Sequence, residues 1–286
     1  MTISLVVCTI GRRDALARLV ASLEAQTNQT FELIVVDQSS GNDIEDLLAN
    51  LSIGQGVRHL RSERGLSRGR NIGLRHARGD VVGFPDDDCW YDPDVIDRVD
   101  RFFRDPDNGV LTGRTVDRGG ATSLSPHRAH SGAIDRRNVF ESGNSNTVFA
   151  RASVARDAGG FDETLGVGAA TPFQSCEETD FLLRCLEKGH RLHFSRDFIV
   201  HHDQIDDSGT ARLKRARVYS PGYGRLLRLH GYGGRYLATR IARTAVRGAI
   251  CLARGDHAGA RQRFAWASGS LHGFLASTRP QDFRRQ

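Results

Sequence analysis

Three consecutive acids, Asp86, Asp87 and Asp88, follow the apolar run Val81, Val82, Gly83, Phe84. In an extended segment, side chains at i and i+2 point the same way. Asp86 and Asp88 would then converge while Asp87 turns aside. Two convergent carboxylates repel each other, and a cation relieves that repulsion. Hard oxygen ligands suit Mg²⁺ or Mn²⁺, which keep other positions open for phosphate oxygens. The plainer alternative is a solvated acidic turn or a helix start.

Other chemistry-bearing groups punctuate the chain. Asp37 closes the apolar run Leu33, Ile34, Val35, Val36, where an acid either accepts hydrogen bonds from a nucleotide or caps the next helix. Arg68 and Arg70 stand at the start of a helical stretch beside Gly65 and Gly69, an arrangement that favours phosphate or simply forms surface ion pairs. Glu177, Glu178 and Asp180 open another helix. Its dipole keeps them ionised, so one of them is a candidate base; dipole compensation alone also explains them. His201 and His202 end a strand. Successive strand residues face opposite ways, so at most one of the two reaches a shared metal.

Elements must hold these groups in place. β-Branched runs at 3–9, 32–37, 57–60 and 81–84 read as strands; helical spacing appears at 14–26, 44–51 and 67–77. Alternating strands and helices signal a parallel sheet covered on both faces, and ligands sit beyond the carboxyl ends of such strands. Thr9, Asp37 and the 86–88 triplet all fall at those ends. Further along, a helix is expected to Phe103, strands at 110–116, 146–150 and 193–200, and a helix at 177–187. The Gly- and Ser-rich stretch 119–135 reads as a loop.

The order of these motifs resembles the family 2 glycosyltransferases, over roughly residues 3–203. The matching residues are Val6-Val7-Cys8-Thr9, Ile34-Val35-Val36-Asp37, Gly65 through Arg70-Asn71-Ile72-Gly73, Gly79-Asp80 through Asp86-Asp87-Asp88, Gly159-Gly160-Phe161-Asp162-Glu163, and Glu177-Glu178-Thr179-Asp180 through Arg184. The resemblance implies a GT-A fold: an α/β, Rossmann-like three-layer α/β/α sandwich with a predominantly parallel central sheet. It implies a metal-dependent inverting transfer from a nucleotide-diphosphate sugar, a UDP-sugar being favoured, to a hydroxyl of a glycan or lipid-linked saccharide in polysaccharide or cell-envelope biosynthesis. Asp86 and Asp88 match the DXD metal pair, and His201 matches a histidine that completes the metal shell. Thr9, Asp37, Arg68, Arg70 and the intervening Asp87 fall on the donor side. Glu178 matches the catalytic base, although the family usually carries Asp there, which keeps Glu177 in view. Gln38 departs from a commonly acidic position.

Composition bounds the rest. The chain has 286 residues, 39% hydrophobic and 26% charged, as expected of a globular protein. From Thr210 to Gln286 there are 16 Arg or Lys against 2 Asp or Glu, whereas residues 1–209 carry 24 basic and 32 acidic groups. The expected division is a GT-A catalytic domain at 1–209 and a basic helical C-terminal region at 210–286. That region either lies on an anionic membrane surface or packs as a helical subdomain. The five cysteines form no CxxC pair, so a disulfide framework or zinc site is not expected. The apolar start reads as a strand rather than a signal peptide. No apolar run is long enough to span a bilayer. A cytoplasmic protein is expected, peripheral on the inner face of the membrane if the basic region binds lipid. Two rivals fare worse. A nucleotidyltransferase would need a Gly-rich, Lys-bearing first loop, and Thr9-Ile10-Gly11-Arg12-Arg13 lacks it. A nucleic-acid binder would need a helix-turn-helix, zinc or RNP signature, and none is present, so no nucleic acid is expected.

Overall fold

Ile3–Thr9 (β1) and Phe31–Asp37 (β2) are buried almost throughout, because helices cover both faces of the sheet they enter. In the computed structural model, which describes residues 1–49, 51, 53–205 and 208–276, the chain forms two compact units. The first comprises Met1–Arg64, Arg68–Phe161 and Phe181–Ile205; the second comprises Gly65–Ser67, Asp162–Asp180 and the chain from residue 206 onward.

The first unit is built on one sheet. After β1 come the helix Arg13–Glu24 (α1), β2, Asp43–Leu48 (α2), Val57–Arg61 (β3), Leu66–His76 (α3), Val81–Gly83 (β4), Cys89–Trp90 (β5) and Val95–Phe102 (α4). Asn108–Val116 (β6), Gly132–Ala133 (β7), Phe149–Arg151 (β8), Ala152–Asp157 (α5), Glu177–Glu187 (α6) and Arg191–His202 (β9) follow. The strand order is β3-β2-β1-β4-β8-β6-β9-β5, with β7 also on β9. The half from β3 to β4 is parallel. In the other half β8 runs against both β4 and β6, and β5 and β7 run against β9. β6 and β9 again pair in parallel, so the long strands of the sheet are parallel as expected, and the short ones make it mixed. The antiparallel members β5, β7 and β8 are two or three residues long and joined by loops, so no crossover helix sets their direction.

Alternation sorts the two faces. Ile3, Leu5 and Val7 of β1, with Phe31, Leu33 and Val35 of β2, share one core with Leu16, Leu19 and Leu23 of α1, Ile44 of α2, and Val95, Ile96 and Val99 of α4. On the opposite face α3 lies close over β1: a Cβ at Gly73 would sit 2.2 Å from Val6 Cγ1. Phe84 packs edge-on against Phe161 at 4.8 Å and Phe181 at 6.2 Å, bringing α6 onto that face.

The second unit is mainly helical: Gly209–Leu229 (α7), Gly234–Ala253 (α8) and His257–Leu275 (α9). Glycines let α7 and α9 touch through their backbones, since a Cβ at Gly224 would lie 2.0 Å from Ser270 O and one at Gly273 1.9 Å from Pro221 O. The expected basic region thus includes three helices, and its last residues, 277–286, lie outside the described residues. No helix of the described residues is long and apolar enough to cross a membrane.

Candidate functional site

Register brings the first groups together. Thr9 pairs with Asp37 across β1 and β2, and Cys8 bridges to Asp86 beyond the end of β4. Three strand ends thus meet in one row, at the edge where parallel sheets take ligands.

The triplet itself is not extended. Asp87 and Asp88 form a tight turn, closed by Cys89 N donating to Asp86 O at 3.2 Å. Arg18 of α1 braces it, donating to Asp88 O at 2.7 Å. In this turn Asp86 and Asp88 do not share a face as they would in an extended strand, and the three carboxylates part company. Asp86 faces α3, where Arg70 Nη2 donates to its Oδ1 at 3.0 Å. Asp87 does not point away: it is 4% exposed, accepts from Thr9 Oγ1 at 2.7 Å, and pairs with Arg12 Nη1 at 2.9 Å. Asp88 pairs with the same Arg12 through its other guanidinium nitrogen, and with His202 Nε2 at 3.2 Å.

His202, not His201, reaches the triplet. Neighbouring strand residues face opposite ways. In register with Cys89, His202 turns to Asp88; His201, opposite Trp90, turns to Asp92 at 3.0 Å and stacks on the Trp90 ring at 5.4 Å. The two arginines of α3 divide similarly. Two helical positions apart means about 200° of rotation, so Arg70 and Arg68 point to different sides. Arg70 is 1% exposed and lies 5.2 Å over the Phe161 ring, whereas Arg68 pairs with the exposed Glu63. Asp37 is wholly buried and does not cap α2. Its oxygens take the Ser39 N–H at 2.8 Å, and face His59 Nε2 and Arg61 Nη1, each at 3.2 Å.

Charge is tuned across the turn. Burial pushes Asp87 up to about 6, against the Thr9 hydrogen bond and the Arg12 charge. Burial also acts upward on Asp88, but the His202 hydrogen bond and charge, with Arg12, hold it well below the usual carboxylate range. Burial acts downward on His202, and its hydrogen bond and attraction to Asp88 outweigh that and raise it.

Asp86 and Asp88 carry carboxylate oxygens, the kind of donor that suits a hard divalent cation. Among the described residues no group of three or more His, Cys, Asp or Glu is placed to hold a metal ion. A cation held by one or two carboxylates plus phosphate oxygens needs none.

The second unit carries the acids that open α6. Glu177 is 5% exposed, and a Cβ at Gly166 would come within 3.1 Å of its carboxylate. Asp180 is 2% exposed and pairs with His230 Nε2 at 2.9 Å. Glu178 alone of the three is only half-buried. The residue before the helix, Cys176, takes a left-handed φ of 69°, and its carbonyl accepts from Asp180 N at 2.9 Å.

Sequence reasoning missed Arg12 and His202. Arg12 carried a signal, since it lies three residues past the end of β1; His202 was weighed only as the alternative to His201.

Residues 4–158, more than half of the chain, match the pattern of the family described as glycosyl transferase family 2. The chain belongs to glycosyl transferase family 2. It is 26% identical over 212 residues to the pre-mycofactocin glycosyltransferase of Mycobacterium tuberculosis, covering 70% of this chain and 42% of that protein. It is 32% identical over 99 residues to an uncharacterized glycosyltransferase of Haemophilus influenzae, covering 34% of this chain and 33% of that one. The matches thus span well under two thirds of these relatives' lengths. Among solved structures it is similar to S. aureus TarS 1–349, with a TM-score of 0.59, 17% identity, and 95% and 91% of the two chains covered. It is also similar to the mannosyltransferase PcManGT of Pyrobaculum calidifontis, solved with GDP-Man and Mn²⁺, with a TM-score of 0.64, 14% identity, and 96% and 87% covered. These likenesses establish the GT-A fold.

Proposed function

We propose that this family 2 glycosyltransferase moves a sugar from a nucleotide-diphosphate sugar to a hydroxyl acceptor, with inversion at the anomeric carbon. The observation that carries the reading is the row of strand ends in which Thr9, Asp37 and Asp86 lie side by side, with Arg70 buried against Asp86. A UDP-sugar is the favoured donor; PcManGT was solved with GDP-Man and TarS with UDP-GlcNAc, which supports the class of donor.

Thr9 and Asp37 would border the nucleoside. Asp86 and Asp88, together with phosphate oxygens of the donor, would hold Mn²⁺ or Mg²⁺, which when bound neutralises charge on the departing diphosphate. Arg70 and Arg12 bring guanidinium charge to the same edge, where preorganised donors stabilise a leaving anion. Glu178 takes the acceptor's proton as the hydroxyl attacks. Its partial exposure, beside the buried Glu177 and the His230-bound Asp180, supports that choice among the three acids. The acceptor is a glycan or lipid-linked saccharide of polysaccharide or cell-envelope synthesis, met at the inner face of the plasma membrane.

The test is Glu178→Gln. We expect donor binding to stay within about twofold while transfer falls at least about 100-fold, the usual reach of general base catalysis. A variant with normal transfer would overturn the base assignment, and product of retained anomeric configuration would overturn inversion.

A further inference from the structure

Within the second unit, α7, α8 and α9 line an open pocket of about 170 Å³ whose arginines are solvent-exposed. Three of its lining residues are arginines of α8: Arg240, Arg243 and Arg247. Spacings of three and four place them on one helical face. Opposite stand Trp266 of α9 and Tyr223 of α7, with Leu237 from the first turn of α8. Acid is scarce on these three helices. Between residues 210 and 276 the sequence holds a single carboxylate, Asp256, and it caps α9 by accepting from Gly259 N at 2.8 Å. Among the described residues Arg243 and Arg247 form no ion pair.

Arg243 and Arg247, one helical turn apart on the same wall, repel one another, and an oxyanion removes that repulsion. The guanidinium fork matches phosphate oxygens two at a time. Tyr223 remains a hydroxyl donor, since burial pushes it up to about 12. The volume also selects. Pockets for whole drug-sized ligands run to about 300–1,000 Å³, so this space suits a phosphate or diphosphate group rather than a complete nucleotide sugar. Beyond Arg243 the same stripe of α8 continues into Val246, 60% exposed, and Ile250, 45% exposed. An amphiphile could lay its apolar part there.

We propose that this pocket is a binding site for a phosphate ester, its oxyanion held by Arg240, Arg243 and Arg247 and its attached group lying against Trp266. The site belongs to the second unit alone and does not depend on the donor reading of Asp86 and Asp88. The ester is either a membrane phospholipid headgroup or a soluble phosphorylated molecule, and the two sources separate by experiment.

The chain has two tryptophans, so Trp90→Phe leaves Trp266 as the reporter. Full-length protein in that background is titrated with inorganic pyrophosphate in the presence of EDTA. We expect a saturable change in Trp266 fluorescence, weakened at least about tenfold by the pair Arg243→Gln and Arg247→Gln, because two charge-assisted contacts are lost. The pair Lys214→Gln and Arg217→Gln, equally exposed but outside the pocket lining, removes the same charge from α7 and should leave the affinity within about twofold. No saturable change, or equal weakening by both pairs, overturns the proposal. Sedimentation with phosphatidylcholine vesicles, with and without phosphatidylglycerol, identifies the source. Phosphatidylglycerol-dependent sedimentation that the pocket pair abolishes assigns a lipid headgroup. Pyrophosphate binding with no sedimentation of either protein assigns a soluble ester.

Discussion

Arg70 is 1% exposed and spans from α3 to Asp86 at 3.0 Å, so replacing it tests how the acidic turn is held. Arg70→Met keeps most of the buried volume and removes the charge. Asp86 then loses the guanidinium it pairs with at 3.0 Å. Breaking a fully buried pair by deleting one partner costs about 3–5 kcal/mol. The Asp86 side chain is 26% exposed and water can reach it, which lowers the expectation to about 2–3 kcal/mol. Pairing the variant with Asp86→Asn removes the orphaned charge, so the double variant should be less damaged than the sum of the singles, with a coupling of about 1–2 kcal/mol. Urea unfolding followed through Trp90, in a Trp266→Phe background, reports the first unit, since Trp90 lies on β5. Additivity of the two substitutions within about 0.5 kcal/mol would refute the pair as the element holding the turn.

Two further outcomes follow from the same geometry. Gly73→Ala should destabilise by about 1–2 kcal/mol, because overpacking against Val6 outweighs a helix-propensity gain of up to about 1 kcal/mol; a rise in Tm would contradict the close approach of α3 to β1. His202 should titrate above its ordinary 6.5 by NMR, and Asp88→Asn should bring it down. A raised histidine contributes stability in full below the unfolded value of 6.5 and loses it as pH rises through the folded one. The stability advantage of the parent over Asp88→Asn should therefore shrink as pH climbs past that folded value, and a gap that widens there would contradict the pairing.

Much of the first unit was legible because its signals are local and periodic. The buried runs of β1 and β2, and the helical spacing of α1, α3 and α6, are properties of neighbouring residues. The strands β5, β7 and β8 carry no such period, and their directions depend on partners far along the chain, so the mixed character of the sheet was not legible. The site divides along the same line. Thr9, Asp37 and Asp86 follow from strand ends alone. The partition of Asp86, Asp87 and Asp88 among Arg70, Thr9 with Arg12, and His202 depends on a turn that the apolar pattern does not announce. The choice between His201 and His202 is a matter of one-residue register on β9, which only the pairing with β5 fixes.

The central claim is that the strand-end row with its acidic turn receives a nucleotide-diphosphate sugar together with a divalent cation. It is met most directly by calorimetric titration with UDP-, GDP- and dTDP-sugars, with Mn²⁺ and with EDTA, on the parent and on Asp88→Asn. The expected result is binding of one donor class, strongest for UDP, that needs Mn²⁺ and is lost in Asp88→Asn. Equal binding in EDTA and in the Asp88→Asn variant, or no binding of any nucleotide sugar, would contradict it.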